Sequence, residues 1–359
     1  MSKRILVATR KGLFDVRRAA SGWRIARTAF LGDILSQAMR DGRDGTLYVA
    51  QSLGHFGVKL QRSTDDGKSW KEIAAPAFAK TKKKDGPSVE YLFSIETGGA
   101  DRPGVLWCGT VSGGLFRSAD RGDSWTLNEA LWNQPSRKDW GGGFNVDKPG
   151  IDTILVDPRD SRRIVVGIST GGVWQTADEG KSWRNTSKGL YAEYMPPARR
   201  EDPNMQDVHR IARCTADPDT LWLQHHNGVF RSTDGGETWK EVKTIKPAKF
   251  GFAVAAHPKD ASTAWFVPGV KDECRIPVGG KMVVARTRDG AKSFKVLTKG
   301  LPQTHAYDLV LRHGLDVDAT GKCLAMGSST GHLWVSENGG DRWALVAGNL
   351  PPIASVRFA

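Results

Sequence analysis

The segments RSTDDGKSW (62–70), RSADRGDSW (117–125), QTADEGKSW (175–183) and RSTDGGETW (231–239) share the pattern Ser/Thr-x-Asp-x-Gly-x-Ser/Thr-Trp. Two weaker copies follow. RTRDGAKSF (286–294) has a displaced glycine and ends in Phe294, while VSENGGDRW (335–343) carries Asn338 in place of the aspartate. Self-similarity of this kind indicates a repeat architecture, in which each unit contributes one sheet or helix pair to a larger body.

A seventh copy lies at the N-terminus. GLFDVRRAASGW (12–23) matches GLFRSADRGDSW (114–125) in length and at both ends, although Arg18 stands where the second segment has Asp120. The aromatic residues that close the repeats are 47 to 58 positions apart: Trp23, Trp70, Trp125, Trp183, Trp239, Phe294 and Trp343. The chain therefore contains seven units.

Each unit is predicted to form four short strands, from alternating apolar residues bounded by turn signals. In the fourth unit these are IDTILVDP, RIVVGIS, GGVWQTA and SWRNT. The repeated Ser/Thr-x-Asp-x-Gly-x-Ser/Thr-Trp segment, called the box below, forms the turn between the last two strands. The box aspartate can accept backbone N–H bonds, its glycine supplies a positive φ, and its tryptophan packs back between sheets. Four-stranded sheets bury both faces only when they stack radially.

These features predict an all-β fold, a seven-bladed β-propeller with four-stranded blades, as a single domain over residues 1–359. The first unit begins at its second strand, RILVATR, and lacks a first strand. The C-terminal segment IASVRFA has the length and character to supply it. We expect this C-terminal strand to complete the first blade and tie the two ends of the chain together.

The boxes resemble those of the sialidase-like superfamily, the BNR or Asp-box propellers, and the resemblance covers essentially the whole chain. In that superfamily the boxes are structural turns on the face away from the active site. Its members include hydrolases, receptors and assembly factors, so the resemblance implies a fold more directly than an activity.

The charge, apolar segments and cysteines of the sequence indicate the location and the partners that we expect. The chain has 52 Lys and Arg against 39 Asp and Glu, a net charge of +13 that is spread along the sequence. The densest basic run, Lys82 to Lys84, is interpreted as a solvated loop, and no nucleic-acid module is recognised. Neither a signal peptide nor the ~18 apolar residues of a membrane span is found. Four scattered cysteines suit reduced thiols. We expect a cytoplasmic protein with neither nucleic-acid nor membrane partners.

Strand order separates two faces. Connections between strands one and two and between three and four, including the boxes, lie on one face. The opposite face carries every long insertion: 76–91, 128–151, 187–208 and 267–281. Long loops on one side of a rigid scaffold are the usual place for function. Most histidines and four of the five tyrosines also map to this long-loop face.

First strands line the axis in this superfamily, and five of them begin at or near a carboxylate: Asp33, Glu90, Asp152, Asp207 and Asp308. With nearby histidines, this ring offers ligands for a divalent metal ion or a general acid/base pair. The alternative is structural, since such carboxylates often bond the backbone of the next blade or water. Two other residues also have a structural alternative. For His226 it is a polar turn outside any site, and for Trp140 it is packing of the long loop in place of stacking on a sugar.

The candidate catalytic residues are Tyr191, Glu193, Asp207, Tyr307 and Asp308. The candidate substrate-binding residues are Arg10, His55, Glu90, Trp140 and Arg275. The candidate ligands of a divalent metal ion at the central channel are His209, His225 and His305.

A true sialidase would need three arginines that clamp a carboxylate, a tyrosine nucleophile beside a glutamate, and an acid/base aspartate. The superfamily pattern also places Arg-Ile-Pro before the first box. Here CRIP occurs at 274–277, in the wrong blade, which argues against Arg275 as a clamp residue and against sialidase activity. Arg10, Arg210 and Arg312 are other clamp candidates.

Two hypotheses of function remain open. The first is a glycosidase-like or related hydrolase that holds a small polar or anionic, carbohydrate-like substrate at the channel mouth, with a bound metal as a variant. The second is a non-catalytic scaffold that binds a protein partner. The first predicts a deep pocket on the axis, whereas the second predicts a broad surface and tolerance of single histidine substitutions at the mouth.

Overall fold

The Asp-box turn forms through hydrogen bonds within the box itself. In the second unit Asp65 Oδ1 accepts from the Ser69 backbone N–H at 2.9 Å, and Asp65 Oδ2 accepts from the Ser69 hydroxyl at 2.6 Å. Ser63 Oγ accepts from the Gly67 N–H at 2.9 Å, with Gly67 at a φ of +80°. The same carboxylate bonds recur at Asp120, Asp178, Asp234 and Asp289, and the Asn338 side-chain oxygen accepts one backbone bond.

The computed structural model describes residues 1–80, 86–142 and 148–359, and within them seven antiparallel sheets of four strands form a propeller. The predicted fold class is confirmed. The basic run Lys82 to Lys84 lies outside the described residues, as do parts of the 76–91 and 128–151 connections.

The four strands of each blade follow one another from the axis of the ring outward. Blade 1 contains β28 (Ile353–Phe358), β1 (Arg4–Thr9), β2 (Gly12–Ala19) and β3 (Gly22–Ala29). Blade 2 contains β4 (Leu35–Arg40), β5 (Leu47–Ser52), β6 (Val58–Ser63) and β7 (Lys71–Ile73). Blade 3 contains β8 (Tyr91–Thr97), β9 (Leu106–Val111), β10 (Leu115–Ser118) and β11 (Thr126–Leu127). Blade 4 contains β12 (Ile151–Asp157), β13 (Asp160–Ile168), β14 (Gly172–Thr176) and β15 (Arg184–Asn185).

Blade 5 contains β16 (Val208–Arg213), β17 (Leu221–His225), β18 (Gly228–Ser232) and β19 (Lys240–Glu241). Blade 6 contains β20 (Gly251–Ala256), β21 (Ala264–Pro268), β22 (Val284–Thr287) and β23 (Lys295–Leu297). Blade 7 contains β24 (Leu315–Val317), β25 (Leu324–Gly327), β26 (Leu333–Ser336) and β27 (Ala344–Ala347). Helical segments are short: α1 (Glu129–Trp132) and 3-10 turns at Gly54–Phe56, Pro135–Asp139, Pro197–Arg199 and Val278–Gly280.

The core is divided among the seven gaps between neighbouring blades. The described residues form seven hydrophobic clusters, and each combines side chains from two adjacent sheets. Tyr48, Trp107, Trp222 and Trp265 occupy the same position of their second strands, and each is at most 1% exposed. Burial of aromatic side chains between sheets is the main force that holds radially stacked blades together.

Box tryptophans add bonds between blades. The Trp125 indole N–H donates to the Ala74 carbonyl in blade 2 at 2.9 Å, and that of Trp239 donates to the Thr186 carbonyl in blade 4 at 3.0 Å. Each of these two boxes thus fastens its own blade to the preceding one, as the sequence predicts.

The ring closes through the C-terminal strand. β28 pairs antiparallel with β1, with Leu6 opposite Arg357 and Val7 opposite Val356. The prediction that IASVRFA supplies the inner strand of blade 1 is confirmed. None of the helices in the described part of the chain is long and apolar enough to cross a membrane.

Candidate functional site

The long-loop face opens into a funnel at the centre of the ring, with a volume of about 580 Å³. It is lined by segments from blades 1, 2, 3 and 7, mostly where inner strands begin. The polar and aromatic side chains in its wall include Arg10, Gln37, Glu90, Tyr91, Arg312 and His313. A concave site with mixed apolar and polar walls is the usual form of a small-ligand pocket.

The funnel has a cationic character. Among the described residues, the Arg10 guanidinium makes no ion pair or side-chain hydrogen bond, and Arg10 is exposed. Glu90 is neutralised by an ion pair with Lys148. The other cation of the wall, Arg312, is buried and donates from Nε to Asp152 Oδ2 at 3.2 Å. The site therefore presents uncompensated positive charge to a ligand.

Arg312 connects the funnel with the interior of the ring. Its guanidinium carbon lies 5.4 Å from the centre of the Phe93 ring and 5.3 Å from that of Phe252. Asp152 is fully buried, and this burial raises the pKa of its carboxyl group to about 7, although Arg312 acts in the opposite direction. Asp152 consequently holds Arg312 in place from behind the funnel wall.

A second polar cluster is centred on Asp207, which immediately precedes β16. Asp207 Oδ2 lies 3.1 Å from His226 Nδ1 and 3.5 Å from His209 Nε2. The Asp207 side chain is 13% exposed, that of His209 2% and that of His226 23%. The His226 backbone N–H donates to the Asp207 carbonyl at 3.0 Å, which fixes the turn after β17 against the start of β16.

Aromatic rings enclose this cluster. His209 stacks on Phe252 with ring centres 4.4 Å apart, and Phe250 lies edge-on to His226 at 5.9 Å. The Tyr194 hydroxyl accepts from the Asp207 backbone N–H at 3.0 Å and donates to the Met205 carbonyl at 2.6 Å. The cluster is thus held rigidly and is largely shielded from water.

The protonation states within the cluster differ. Burial opposes ionisation of Asp207, but His209, His226 and Arg312 lower the pKa of its carboxyl group well below the usual range. Burial lowers the pKa of His209. For His226, burial acts in the same direction, but the hydrogen bond to Asp207 and the charges of Asp207 and Asp272 together outweigh it and raise the pKa. Together with Asp152, whose pKa is about 7, the centre of the ring contains carboxyl groups with strongly separated pKa values. Such separation is a feature of functional sites.

A third cluster lies at Asp308. Asp308 Oδ1 lies 2.8 Å from His332 Nδ1 and accepts from the Ser328 hydroxyl at 2.8 Å and from the Thr330 hydroxyl. Ser328 is fully buried, and all three partners bind the same carboxylate oxygen. This arrangement matches the structural role of an inner-strand carboxylate.

The five carboxylates predicted to ring the channel mouth have different partners, and among them only Glu90 lines the described funnel wall. Asp33 Oδ2 accepts from Gln51 at 2.7 Å, while Glu90, Asp152, Asp207 and Asp308 bind Lys148, Arg312, His226 and His332 respectively. The five positions are therefore equivalent in topology and distinct in chemistry.

Other predicted catalytic residues lie on the long-loop face outside the described funnel wall. The Tyr191 hydroxyl accepts from Arg200 at 2.8 Å, and Glu193 pairs with Lys249 at 2.6 Å. Tyr307 is 59% exposed. The structure thus separates these three residues from the funnel, and their catalytic roles stay predictions.

Two predicted substrate-binding residues, Arg10 and Glu90, do line the funnel. His55 lies in the exposed turn Gly54–Phe56, whose first residue belongs to the wall. Arg275 pairs with Asp272, its Nε donating at 2.9 Å, and its guanidinium carbon lies 5.4 Å from the Phe252 ring centre. Trp140 is 6% exposed and packs edge-on against Trp174. This contact corresponds to the loop-packing alternative and not to stacking on a sugar.

Of the three predicted metal ligands, only His209 belongs to a group of three potential ligands in the described part of the chain, and its companions are Asp207 and His226. The His225 ring is fully buried, which lowers its pKa to about 3. His305 is exposed and belongs to no such group among the described residues. His226, which the sequence leaves open between this ligand set and a polar turn, lies in the group, and strand alternation gives the signal: His225 ends β17 facing the core, so its neighbour turns away from it.

Comparison with known proteins agrees with this architecture. The BNR/Asp-box repeat family matches residues 230–241. A xyloglucanase from a Paenibacillus species is 28% identical over 148 residues, which is 36% of this chain and 13% of that protein. The chain thus spans less than a sixth of that relative's length. The chain is thus a seven-bladed β-propeller whose turns carry Asp-box repeats.

Solved structures share the fold. The GH74 xyloglucanase from Xanthomonas campestris superposes with a TM-score of 0.67 at 16% identity, over 96% of this chain and 52% of that one. YCF48 bound to a D1 peptide superposes with a TM-score of 0.52 at 13% identity, over 87% of this chain and 81% of that one. Both likenesses concern the fold.

Proposed function

We propose that this propeller is a glycosidase-like protein that holds a small anionic, carbohydrate-like substrate in the funnel. The observation that carries the proposal is the uncompensated Arg10 guanidinium beside a 580 Å³ opening that also contains Arg312. A guanidinium binds a carboxylate through two parallel hydrogen bonds, and the enclosed wall strengthens that bond. The sequence likeness to a xyloglucanase supports a carbohydrate as the ligand class.

Glu90 is our candidate for proton transfer, because it is the one carboxylate in the described funnel wall. Glycosidic hydrolysis normally uses two carboxyl groups. Asp33 is the candidate for the second, since it precedes the inner strand of blade 2 as Glu90 precedes that of blade 3. Lys148 forms an ion pair with Glu90, and a bound anion would compete with Glu90 for this cation.

The funnel differs from what a sialidase needs. Tyr91 lies in its wall next to Glu90, but burial raises the pKa of the Tyr91 phenol to about 12. A tyrosine nucleophile requires the opposite, a phenol that gives up its proton readily. This direction argues against Tyr91 as a nucleophile, whereas the funnel still suits a ligand that carries a carboxylate.

The binding test uses isothermal titration of the whole chain with glucuronate and galacturonate, and with glucose and galactose as uncharged controls. We expect the acids to bind and Arg10→Ala to weaken them at least tenfold, as for a lost charge-assisted bond. Lys59→Ala, which breaks an exposed ion pair with Glu72 on blade 2, serves as the control cation. Equal binding of acids and neutral sugars would contradict an anionic site.

The hydrolysis test measures release of reducing ends from uronic-acid-containing oligosaccharides. Glu90→Gln and Asp33→Asn should each abolish release while they preserve binding of the product acid. Activity that survives both substitutions would show that the proposed carboxylates take no part in the chemistry.

A second candidate is a non-catalytic scaffold that binds a protein. Three large apolar side chains of the long-loop face are exposed: Leu31 at 68%, Phe56 at 81% and Tyr307 at 59%. Exposed apolar residues on one face can mark a binding surface. If this function holds, Phe56→Ser and Tyr307→Ser should abolish copurification of one reproducible partner from the source cells, whereas Arg10→Ala should not.

A further inference from the structure

We propose that Asp207, His209 and His226 bind a divalent transition-metal ion of the Zn²⁺ type. Each residue offers one ligand atom, and these atoms lie within 4.8 Å of one another. The site is separate from the proposed carbohydrate function, because none of the three residues belongs to the funnel wall. It uses an aspartate and two histidines, of which the sequence pointed to Asp207 and His209.

The position of the His209 proton is set by a backbone carbonyl. His209 Nδ1 lies 2.7 Å from the Gly251 carbonyl oxygen, which can only accept, so the proton sits on Nδ1. In the neutral ring, Nε2 then carries a lone pair, and this lone pair faces the Asp207 carboxylate at 3.5 Å. Two acceptors that face each other are stabilised by a cation between them. A backbone carbonyl that holds the distal ring N–H is also the usual support of a metal-binding histidine.

The spacing of the ligand atoms fits a tetrahedral ion. Two ligands bound to one Zn²⁺ at about 2.1 Å in a tetrahedron are about 3.4 Å apart. Asp207 Oδ2 lies 3.1 Å from His226 Nδ1 and 3.5 Å from His209 Nε2, so both separations match this geometry within a few tenths of an ångström. The ligand atoms of the two histidines lie within 4.8 Å of each other, so a metal ion can enter if the two rings close by about an ångström or less.

One oxygen of the cluster lacks a partner. Asp207 Oδ1 is out of contact with solvent and accepts no hydrogen bond from the described residues. A carboxylate oxygen left in this state is costly, and a cation bound by the carboxylate relieves the cost. On the far side, His226 Nε2 lies 4.0 Å from Asp272 Oδ2, which offers a partner to the ring N–H when Nδ1 binds the metal.

The donor set decides the class of ion. Two imidazole nitrogens and one carboxylate oxygen suit Zn²⁺, Co²⁺ or Ni²⁺, while Ca²⁺ and Mg²⁺ prefer sites built from oxygen. Three protein ligands leave a fourth position for water or another small ligand. The aromatic wall of Phe250, Phe252 and Tyr194 would hold that ligand in a site with little water.

The test titrates the chelator-treated full chain with Zn²⁺ alone and, in parallel, records the visible spectrum with Co²⁺. We expect one equivalent of Zn²⁺ and the intense absorption of tetrahedral Co²⁺. His226→Gln should weaken Zn²⁺ binding at least about 100-fold, and His209→Gln should abolish the Co²⁺ absorption. His226 lies in a partly exposed turn, so its substitution should leave the fold intact, and circular dichroism checks this.

His332→Gln is the matched control, because His332 also contacts an inner-strand aspartate, Asp308, but belongs to no group of three potential ligands among the described residues. This variant should bind Zn²⁺ like the original chain. Absence of stoichiometric binding, or binding that folded His226→Gln and His209→Gln retain, would overturn the proposal. These readouts contain no sugar, so failure of the carbohydrate proposal would leave them unchanged.

Discussion

Two sets of aspartates recur around this ring, and their environments are opposite. The box aspartates bond to their own turn, and the hydrogen bond from Ser124 or Ser182 lowers the pKa of Asp120 or Asp178 to about 2. The inner-strand carboxylates bond to residues outside their own turn, and burial raises the pKa of Asp152 to about 7. The boxes are thus near-identical local devices, whereas each central carboxylate depends on the assembled ring.

Among the substitutions that test this difference, removal of the Arg312 cation should have the largest effect on the free energy of unfolding. Arg312→Ala removes the ion pair with Asp152 and the contacts of the guanidinium with the Phe93 and Phe252 rings, and it leaves a cavity, so we expect a loss of roughly 2–4 kcal/mol in the free energy of unfolding at neutral pH. Arg162→Ala breaks an exposed ion pair with Asp160 near the box face and should cost about 0–1 kcal/mol. Urea unfolding measures both. Similar losses would show that the two faces do not differ as described.

Asp152→Asn should change the dependence of stability on pH. The folded pKa of Asp152, about 7, lies above the unfolded value of about 3.9, so its contribution is complete below pH 4 and is lost as the pH rises through 7. Between pH 4 and 7 the ionisation of Asp152 should lower the free energy of unfolding by up to about 1.4 kcal/mol per pH unit, and Asp152→Asn should remove this dependence. Box aspartates behave in the reverse sense, since their stabilisation is lost as the pH falls from about 4 to 2. Asp178→Asn, which should leave the slope between pH 4 and 7 unchanged, is the control.

Substitution of single boxes should give similar, moderate effects. Asp234→Ala removes the bonds that its carboxylate accepts from the Thr238 backbone N–H and hydroxyl, at an expected cost of about 1–2 kcal/mol. Asp178→Ala should cost the same within experimental error, because its turn is equivalent. Thermal and urea unfolding of both variants compare them. Strongly unequal losses would argue that boxes are not interchangeable.

The smallest effect is expected at the irregular box of blade 6. Ala291 has a φ of +77°, where the other well-formed boxes place a glycine. Ala291→Gly should stabilise the protein by roughly 1 kcal/mol, because an L-residue pays about that in the left-handed region. Gly236→Ala, at the equivalent position of blade 5, should have the opposite sign. Unchanged melting temperatures in both would contradict the interpretation of strain.

Sequence predicts the fold well because the boxes are local. The contacts of Asp65 lie within four residues of it, so the pattern specifies the turn, and the turn specifies where the strands and blades are. Even the closure by β28 follows, since the first unit visibly lacks a strand. The face that carries the long connections could be inferred for the same reason.

The site was predicted only in part. The sequence indicates that Asp207 and His209 converge near the axis, but it does not indicate that Arg312, 160 positions beyond Asp152, pairs with it. It also left His226 undecided between the cluster and a polar turn, and Trp140 undecided between packing and binding. These outcomes depend on loop conformation and on which blades meet at the centre, and no local pattern encodes that.

The inner strand of blade 1 has a consequence for the order of synthesis. Pro352, Ile353 and Ala354 form part of the funnel wall, together with Arg10, which precedes them by more than 300 positions in the sequence. A nascent chain can therefore complete the turns of blades 2 to 6 on the ribosome, but it has no finished funnel before β28 emerges. Ligand capture must begin after release of that strand, so a growing chain cannot be stabilised by the compound it will later bind.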